Sequence, residues 1–160
     1  MINKFQVSSL DALEFNHFFD LSEKELSSIN AIKMIAKTNP GYPCRVSLED
    51  AQIGEEVLLL NYEHHKVNSP YKASGPVFIR RNVKTANLKT NQIPEMLKHR
   101  LLSLRAYNSS AIMIESETVK GENLADKIDM IFSNDLVNYI HIHNSGPGCY
   151  NCQINRVEET

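Results

Sequence analysis

Proline and glycine are concentrated in three short stretches of the 160-residue chain. Five of the six prolines and four of the six glycines lie in residues 39–43, 69–76 and 145–148, called turn 1, turn 2 and turn 3 below. Proline fixes φ and glycine permits positive φ, so these stretches are typical of turns that are ordered even without regular secondary structure. The rest of the chain must form elements that run between them.

Short apolar segments between the turns are rich in residues that favour strands. Strands are predicted at residues 4–9, 31–37, 56–62, 77–81, 101–107, 111–119, 137–144 and 149–157. Helices are predicted at residues 11–19, 22–30, 94–100 and 121–132. Asp11 would cap the first helix, and Ser22 with Glu25 forms a capping box for the second. Most strand connections are too short for a helical crossover. We therefore expect an α+β fold, a mainly antiparallel sheet with a few short helices packed on one face.

Length and composition predict one domain over residues 1–160, because 42% of the residues are hydrophobic and the chain is too short for two ordinary domains. No apolar run approaches the roughly 20 residues of a membrane span, and the N-terminus lacks the apolar stretch of a secretory signal. Three cysteines cannot all pair with one another, which favours a reducing compartment. We expect a cytoplasmic protein without a membrane partner. The sequence indicates no particular cofactor or oligomeric state.

A basic segment runs from Arg80 to Arg105, where seven lysines and arginines face the single acid Glu95. Nucleic-acid grooves usually add aromatic side chains for base stacking, and none lies between Phe78 and Tyr107. The segment therefore favours a solvated surface over a nucleic-acid partner.

Four stretches of the chain resemble a known bacterial family, Domain of Unknown Function 1203. They are GYPCRVSLEDA, SPYKASGPVFIR, LLSLRAYN and HIHNSGPGCYNCQINR. The resemblance extends over residues 39–156 and leaves residues 1–38 outside it. It implies that these stretches belong to one module, and it brings no established activity, fold or cofactor with it.

Residues capable of chemistry lie beside each turn. Cys44 and Arg45 follow turn 1, and Tyr71 and Ser74 lie within turn 2. Turn 3 is flanked by His141, His143, Asn144 and Cys149. Because loops held by a rigid scaffold often carry function, we predict that the three turns meet at one polar pocket.

The predicted strands 137–144 and 149–157 would form a hairpin through turn 3, and its pairing determines which side chains share a face. Strand alternation places His141 and His143 on one face and Ile140 and Ile142 on the core face. Closing the hairpin would set His143 opposite Cys149 and His141 opposite Asn151, with Cys152 on the apolar side. A cysteine beside a histidine can act as a nucleophile, which makes Cys149, His143 and His141 candidate catalytic residues. A buried cysteine packed as a small hydrophobe is the structural alternative.

A zinc site is a further alternative at the same hairpin. His141, His143 and Cys149, with Cys44 brought in by folding, would supply four ligands. Only one short motif supports this set, so no residue is assigned as a metal ligand. His64 and His65 follow the predicted strand 56–62 and are expected to be solvated.

Arginine residues lie in or at the end of apolar strand-like segments, where a buried guanidinium needs an anionic or carbonyl partner. They are Arg45, Arg80, Arg105 and Arg156. These arginines would form internal salt bridges if acids of the chain, such as Glu49, Asp50, Glu115 and Glu117, pair with them. Otherwise, a receptor for a small anionic molecule would be formed by Arg45, Tyr71, Ser74, Arg80, Arg105 and Asn144. That receptor is our leading hypothesis, ahead of a thiol enzyme for a small metabolite and of a zinc-binding or purely structural domain.

Overall fold

A computed structural model describes residues 3–158 and has the predicted α+β class. The strands are β1 (Phe5–Ser8), β2 (Ala31–Ile35), β3 (Glu56–His65), β4 (Ala73–Arg80), β5 (Leu101–Tyr107), β6 (Met113–Lys120), β7 (Tyr139–Asn144) and β8 (Tyr150–Arg156). The α-helices are α1 (Glu23–Ser28), α2 (Glu95–Lys98) and α3 (Leu124–Phe132). Short 3-10 helices span Ala12–Glu14, Asn16–Asp20 and Gly121–Asn123. In the described part of the chain, no helix is long and apolar enough to cross a bilayer.

The strands form two sheets. One has five strands in the order β1-β8-β7-β5-β6, and the other has three in the order β2-β3-β4. Every pairing between these strands is antiparallel, as predicted from the short connections. The sequence pattern did not separate the strands into two sheets, because alternation reports which side chains are buried and not which strands pair.

The predicted N-terminal elements are present with one change. Ser22 and Glu25 form the capping box at the start of α1, with both reciprocal hydrogen bonds. The side chain of Asp11 accepts from the backbone N–H of Leu13, as an N-cap does. The predicted helix 11–19 is instead two 3-10 helices that meet at Phe15. Phenylalanine, asparagine and histidine dominate its second half and rank low in helix propensity.

One face of the five-stranded sheet packs against α2 and α3 and forms the larger core. Alternate residues of β5, β7 and β8 point into it, and a fully buried aliphatic side chain typically contributes about 1.5–3 kcal/mol. The main members are Leu102, Leu104, Ile140, Ile142, Cys152, Ile154, Leu97, Leu124, Ile128 and Phe132. The predicted apolar positions of Ile140, Ile142 and Cys152 are therefore confirmed.

The three-stranded sheet has its own core, formed with the segment that precedes it. Phe15, Phe19 and Leu26 pack against Leu58 and Leu60 of β3. The far end of β3 reaches the other face of the five-stranded sheet, where the His64 ring stacks on Tyr150 and the His65 ring packs at a tilt against Tyr107. The polar face of the larger sheet is thereby covered by the end of β3.

Candidate functional site

The three turns meet at one cleft with a volume of about 590 Å³. Turn 1 contributes Gly41 and Pro43 to its lining, and turn 3 contributes Ser145, Gly146 and Pro147. Pro76, which was predicted to end turn 2, also lines the cleft but lies within β4, because that strand begins at Ala73. The other lining residues are Arg45, Leu59, Phe78, Arg100, Leu101, Asn144 and Cys149. Folding thus brings together segments that are far apart in the sequence.

Arg45 is a buried cation in the wall of this cleft, with only 1% of its surface exposed. Its Nε donates to the carbonyl of Tyr150 at 2.7 Å, its Nη1 donates to the carbonyl of Pro43, and its Nη2 donates to the sulfur of Cys149 at 3.1 Å. Burial lowers the pKa of the guanidinium, and the nearby thiol of Cys149 opposes that effect. No carboxylate within residues 3–158 forms an ion pair with Arg45.

Cys149 is the partly exposed cysteine of the chain, whereas Cys44 and Cys152 are buried. Its sulfur accepts from Arg45 and, at 3.5 Å, from Nδ2 of Asn144. The Asn144 amide is oriented by Asn151, whose Nδ2 donates to Oδ1 of Asn144 at 2.7 Å. The cation in contact with Cys149 is therefore an arginine. Neither His141 nor His143 forms a hydrogen bond with it in the described structure.

His141 and His143 lie on the polar face of β7, as strand alternation predicts, and are 1% and 2% exposed. His141 Nε2 contacts Oε1 of Gln153 at 3.0 Å, and His143 Nδ1 contacts the carbonyl of Gly148 at 2.9 Å. Burial lowers the pKa of His141 to about 3 and that of His143 to about 4. Both imidazoles are therefore neutral at pH 7.

The predicted hairpin register was wrong, by one residue of β8 at His143 and by two at His141. His143 pairs with Tyr150 and His141 pairs with Gln153, because a bulge lies between Ile142 and His143. The extra residue, Asn151, is fully buried. A bulge of this kind inserts one unpaired residue and shifts every later partner.

The expectation that His64 and His65 are solvated was also wrong, because β3 continues through both residues. His65 is 3% exposed, and its ring contacts the carbonyl of Tyr71 at 2.7 Å and the hydroxyl of Tyr139 at 2.6 Å. His64 is half-buried and stacks on Tyr150, with ring centroids 5.0 Å apart and planes 5° apart. The sequence did contain an indication of this. Side chains on one face of a strand repeat every second residue, so a strand extended beyond Tyr62 places His64 on the same face as the buried Leu58 and Leu60.

Three histidines meet at the junction of the two sheets. His64 comes from β3 and His141 and His143 from β7, and one nitrogen of each lies within 4.8 Å of those of the other two. Their burial, their neutrality and their convergence make them the candidate metal ligands of the described structure. Cys149 and Cys44, which the sequence analysis considered with His141 and His143, are not part of this cluster.

A protein-family model described as "Protein of unknown function (DUF1203)" matches residues 41–156. The chain belongs to the DUF1203 family. The match confirms the resemblance drawn from the four stretches of sequence. No curated protein and no solved structure gives a significant match to the chain.

The DUF1203 region contains every residue that lines the cleft and all three clustered histidines. Both candidate sites are therefore built within the family's own segment. The elements that precede it, from β1 to β2, supply the outer strand of each sheet at positions away from these side chains.

Four predicted ligand-binding residues of the DUF1203 region lie outside the cleft lining. Arg80 pairs with Glu55 through two hydrogen bonds of 2.8 and 2.9 Å and with Glu49 at 3.1 Å, the internal salt bridges that the sequence analysis allowed for. Ser74 is exposed on β4. Tyr71 packs edge-on against Tyr107. Arg105 lies opposite His141 on the histidine face and has no hydrogen bond or ion pair among the described residues.

Arg100 is a cleft residue that the sequence analysis missed, because it was grouped with the solvated basic segment. Its Nη1 and Nη2 donate to Asp50 at 2.9 and 2.6 Å. Other cations of that segment are also paired, Lys98 with Glu95 and Arg81 with Glu56. No local pattern links Arg100 to Asp50, which precedes it by 50 residues.

Proposed function

We propose that the protein binds a small anionic molecule in the cleft, with Arg45 as its counter-charge. The observation that carries the proposal is a buried guanidinium without a carboxylate partner among the described residues. A buried charge is costly unless it is compensated, and an anion seated against Arg45 would supply the compensation.

The other cation of the cleft supports Arg45 as the anchor. Arg100 already forms a two-bond pair with Asp50, so its charge is neutralised within the protein. Arg45 donates three hydrogen bonds, two to carbonyl oxygens and one to a thiol sulfur, and none to a carboxylate. The net positive charge facing the cleft therefore resides on Arg45.

The cleft lining indicates which anion would fit. Its volume falls within the range of about 300–1,000 Å³ that small-molecule sites occupy. Leu59, Phe78 and Leu101 line it together with the prolines of all three turns. We expect an acid with an apolar body, whose acidic group points to Arg45 and whose body packs on these side chains.

A thiol enzyme is the second candidate function, favoured by the position of Cys149. The sulfur lies in the same cleft and accepts from Arg45 and Asn144. A molecule held by Arg45 would lie next to the sulfur, as a substrate lies next to a nucleophile. His143 does not act as its base in this arrangement, because its Nδ1 is directed at the carbonyl of Gly148.

A thermal-shift experiment with matched pairs of ligands tests the binding proposal. Each pair consists of a small carboxylic acid with an apolar ring or chain and the uncharged amide of the same shape. We expect acids to raise the melting temperature and their amides to leave it unchanged, because only the acid compensates Arg45. Equal shifts within pairs, or no shift with any acid, would contradict the proposal.

A variant at the cleft rim provides the control without disturbing the buried arginine. Leu101 lines the cleft and is 52% exposed, so its side chain can be changed with little effect on folding. Leu101→Glu places a like charge beside a bound acid and should abolish the shift, whereas Leu101→Gln should retain it. If both variants lose the acid-induced rise in melting temperature, the loss is due to the changed shape of the side chain and not to its charge. If both variants retain the rise, the acid binds outside the cleft.

A further inference from the structure

Three buried nitrogens of the histidine cluster have no hydrogen-bond partner. They are Nδ1 of His64, Nδ1 of His141 and Nε2 of His143. A buried polar atom without a partner is destabilising and uncommon in folded proteins, so three such atoms in one cluster point to a single shared cause.

The tautomer of His141 follows from its neighbours. Nε2 of Gln153 donates to Oδ1 of Asn155 at 2.8 Å, which leaves Oε1 of Gln153 to face His141. That oxygen can only accept, so Nε2 of His141 carries the proton. Nδ1 of His141 therefore presents a lone pair to the cluster.

The tautomer of His143 is set in the same way by turn 3. Nδ1 of His143 lies 2.9 Å from the carbonyl oxygen of Gly148, which can only accept, so Nδ1 carries the proton. Gly148 has a φ of +80°, a conformation that glycine adopts without the strain of a side chain. Nε2 of His143 is left with its lone pair, also directed away from the turn.

His64 completes the triangle from the opposite sheet. Its ring stacks on Tyr150 and meets the ring of His143 edge-on, at 5.3 Å and 81°. The adjacent His65 differs, because both of its ring nitrogens have partners in Tyr71 and Tyr139. Of the two neighbouring histidines, only His64 therefore has a nitrogen available to a ligand.

One nitrogen of each of the three histidines lies within 4.8 Å of those of the other two. Nε2 of His141 and Nδ1 of His143 hold their protons against acceptor oxygens, so each of these rings offers its second nitrogen as a ligand atom. Neutral imidazoles whose second nitrogen donates to a carbonyl oxygen are the form in which histidine binds metals. One ion would satisfy all three unpartnered nitrogens at once.

We infer that His64, His141 and His143 bind one divalent transition-metal ion, with Zn²⁺ as the expected species because imidazole is a preferred zinc ligand. In a tetrahedral zinc site the ligand nitrogens lie about 3.3 Å apart, given Zn–N bonds of about 2.0–2.1 Å. The nitrogens here lie within 4.8 Å of one another, so the most widely separated pair must approach by up to about 1.5 Å.

Three neutral ligands leave the fourth position of the ion open. Zinc sites with three protein ligands hold water or a substrate there, in contrast to closed structural sites with four. Arg105 lies directly opposite His141 on the same face of the sheet and has no hydrogen bond or ion pair within residues 3–158. Its guanidinium would favour an anionic fourth ligand over a neutral one.

Calorimetric titration of Zn²⁺ into untagged, chelator-treated protein tests this inference. We expect one ion per chain for the wild type and an affinity lowered by more than about 100-fold in His64→Ala, because loss of a ligand exceeds the roughly 10–100-fold cost of a lost supporting contact. His17→Ala is the matched control, since His17 is exposed and outside the cluster. Equal affinity in His64→Ala and the wild type, or no binding by the wild type, would overturn the site.

Two further measurements distinguish the histidine site from a thiolate site and from a folding defect. Cys149→Ser should bind Zn²⁺ as the wild type does, and loss of binding there would assign the ion to the thiolate instead. Long-range ¹⁵N–¹H spectra of the wild type require no variant that might fold poorly. On addition of Zn²⁺ they should show shifts at Nδ1 of His141 and Nε2 of His143, and unchanged resonances would overturn the assignment.

Discussion

Arg45 Nη2 donates to the sulfur of Cys149 across 3.1 Å, and the same guanidinium donates to the carbonyl of Tyr150. This contact joins the buried cation of the cleft to the partly exposed cysteine. Cys149 is thus a chemical reporter for the site at which we place the anion.

Alkylation with iodoacetamide at neutral pH should modify Cys149 alone in the folded protein. Cys44 and Cys152 are fully buried, and burial raises the pKa of Cys152 to about 12. Mass spectrometry should show one modified cysteine per native chain, three after denaturation, and none in native Cys149→Ser. A bound acid should slow the reaction by covering the sulfur.

The rate of the same reaction decides between the two candidate functions. A thiol enzyme requires Cys149 to react faster than a free thiol such as glutathione, because a catalytic cysteine is activated by its surroundings. A rate equal to that of glutathione would exclude the enzyme and leave the binding function untouched.

Replacing Gln153 should weaken metal binding without removing a ligand. The Oε1 atom of Gln153 holds His141 in the tautomer that presents Nδ1 to the cluster. Loss of such a supporting contact typically costs about 10–100-fold in metal affinity, so we expect that loss in Gln153→Leu. Gln52→Leu, a change at an exposed glutamine, should bind as the wild type does. An unchanged affinity in Gln153→Leu would mean that His141 is not held by this contact when the ion binds.

Arg80 should contribute to stability in a pH-dependent way. Hydrogen bonding from Arg80 lowers the pKa of Glu55 below its ordinary value of 4.5, so the stabilisation is present above pH 4.5 and is lost as the pH falls through the folded-state value. We expect Arg80→Gln to lower the free energy of unfolding by about 1 kcal/mol at pH 7. Urea denaturation should show this difference shrinking below pH 4.5, and a difference that grows there would contradict the pairing.

The same variant separates Arg80 from the cleft. Because its guanidinium is engaged by Glu49 and Glu55, Arg80→Gln should retain the thermal shift caused by acids. Loss of that shift in a folded Arg80→Gln protein would place the anion at Arg80, as the sequence hypothesis allowed.

Gly121 should be intolerant of any side chain. A Cβ built on it would lie 1.7 Å from the carbonyl oxygen of Leu97. The backbone of α2 and the backbone of the 3-10 helix Gly121–Asn123 would therefore have to move apart. Overpacking of this kind costs about 1–3 kcal/mol or more, and we expect a clear fall in the melting temperature of Gly121→Ala. Gly146→Ala is the control, because no atom lies within 4 Å of its Cβ position. Equal melting temperatures would contradict the close approach.

Strand alternation predicted much of the histidine face from the sequence. His141 and His143 emerged together because side chains repeat every second residue, and Ile140 and Ile142 identified the core face. His64 was missed because the predicted strand ended at Tyr62, where the apolar residues stop. In the structure β3 continues to His65 through an irregular pairing near Tyr62, and tertiary contacts with the other sheet sustain it.

The partners of the arginines were the least predictable feature. Arg45 and Arg80 occupy similar apolar contexts in the sequence, yet one meets carbonyls and a thiol and the other meets two carboxylates. Which partner each finds depends on how β4 and the loop after turn 1 lie relative to turn 3. Local patterns carry no information about such long-range packing.

The three clustered histidines belong to different sheets, and so do the walls of the cleft. His64 lies in β3 of the smaller sheet, with Leu59 nearby on the same strand, and His143 lies in β7, which ends at Asn144. An ion bound to both would cross-link the two sheets between residues that are far apart in the sequence. A cross-link that closes a long loop lowers the conformational entropy of the unfolded chain more than one that closes a short loop. Removing the ion would then remove one link between the two sheets, and the separation of Leu59 from Asn144 across the cleft would be less restrained.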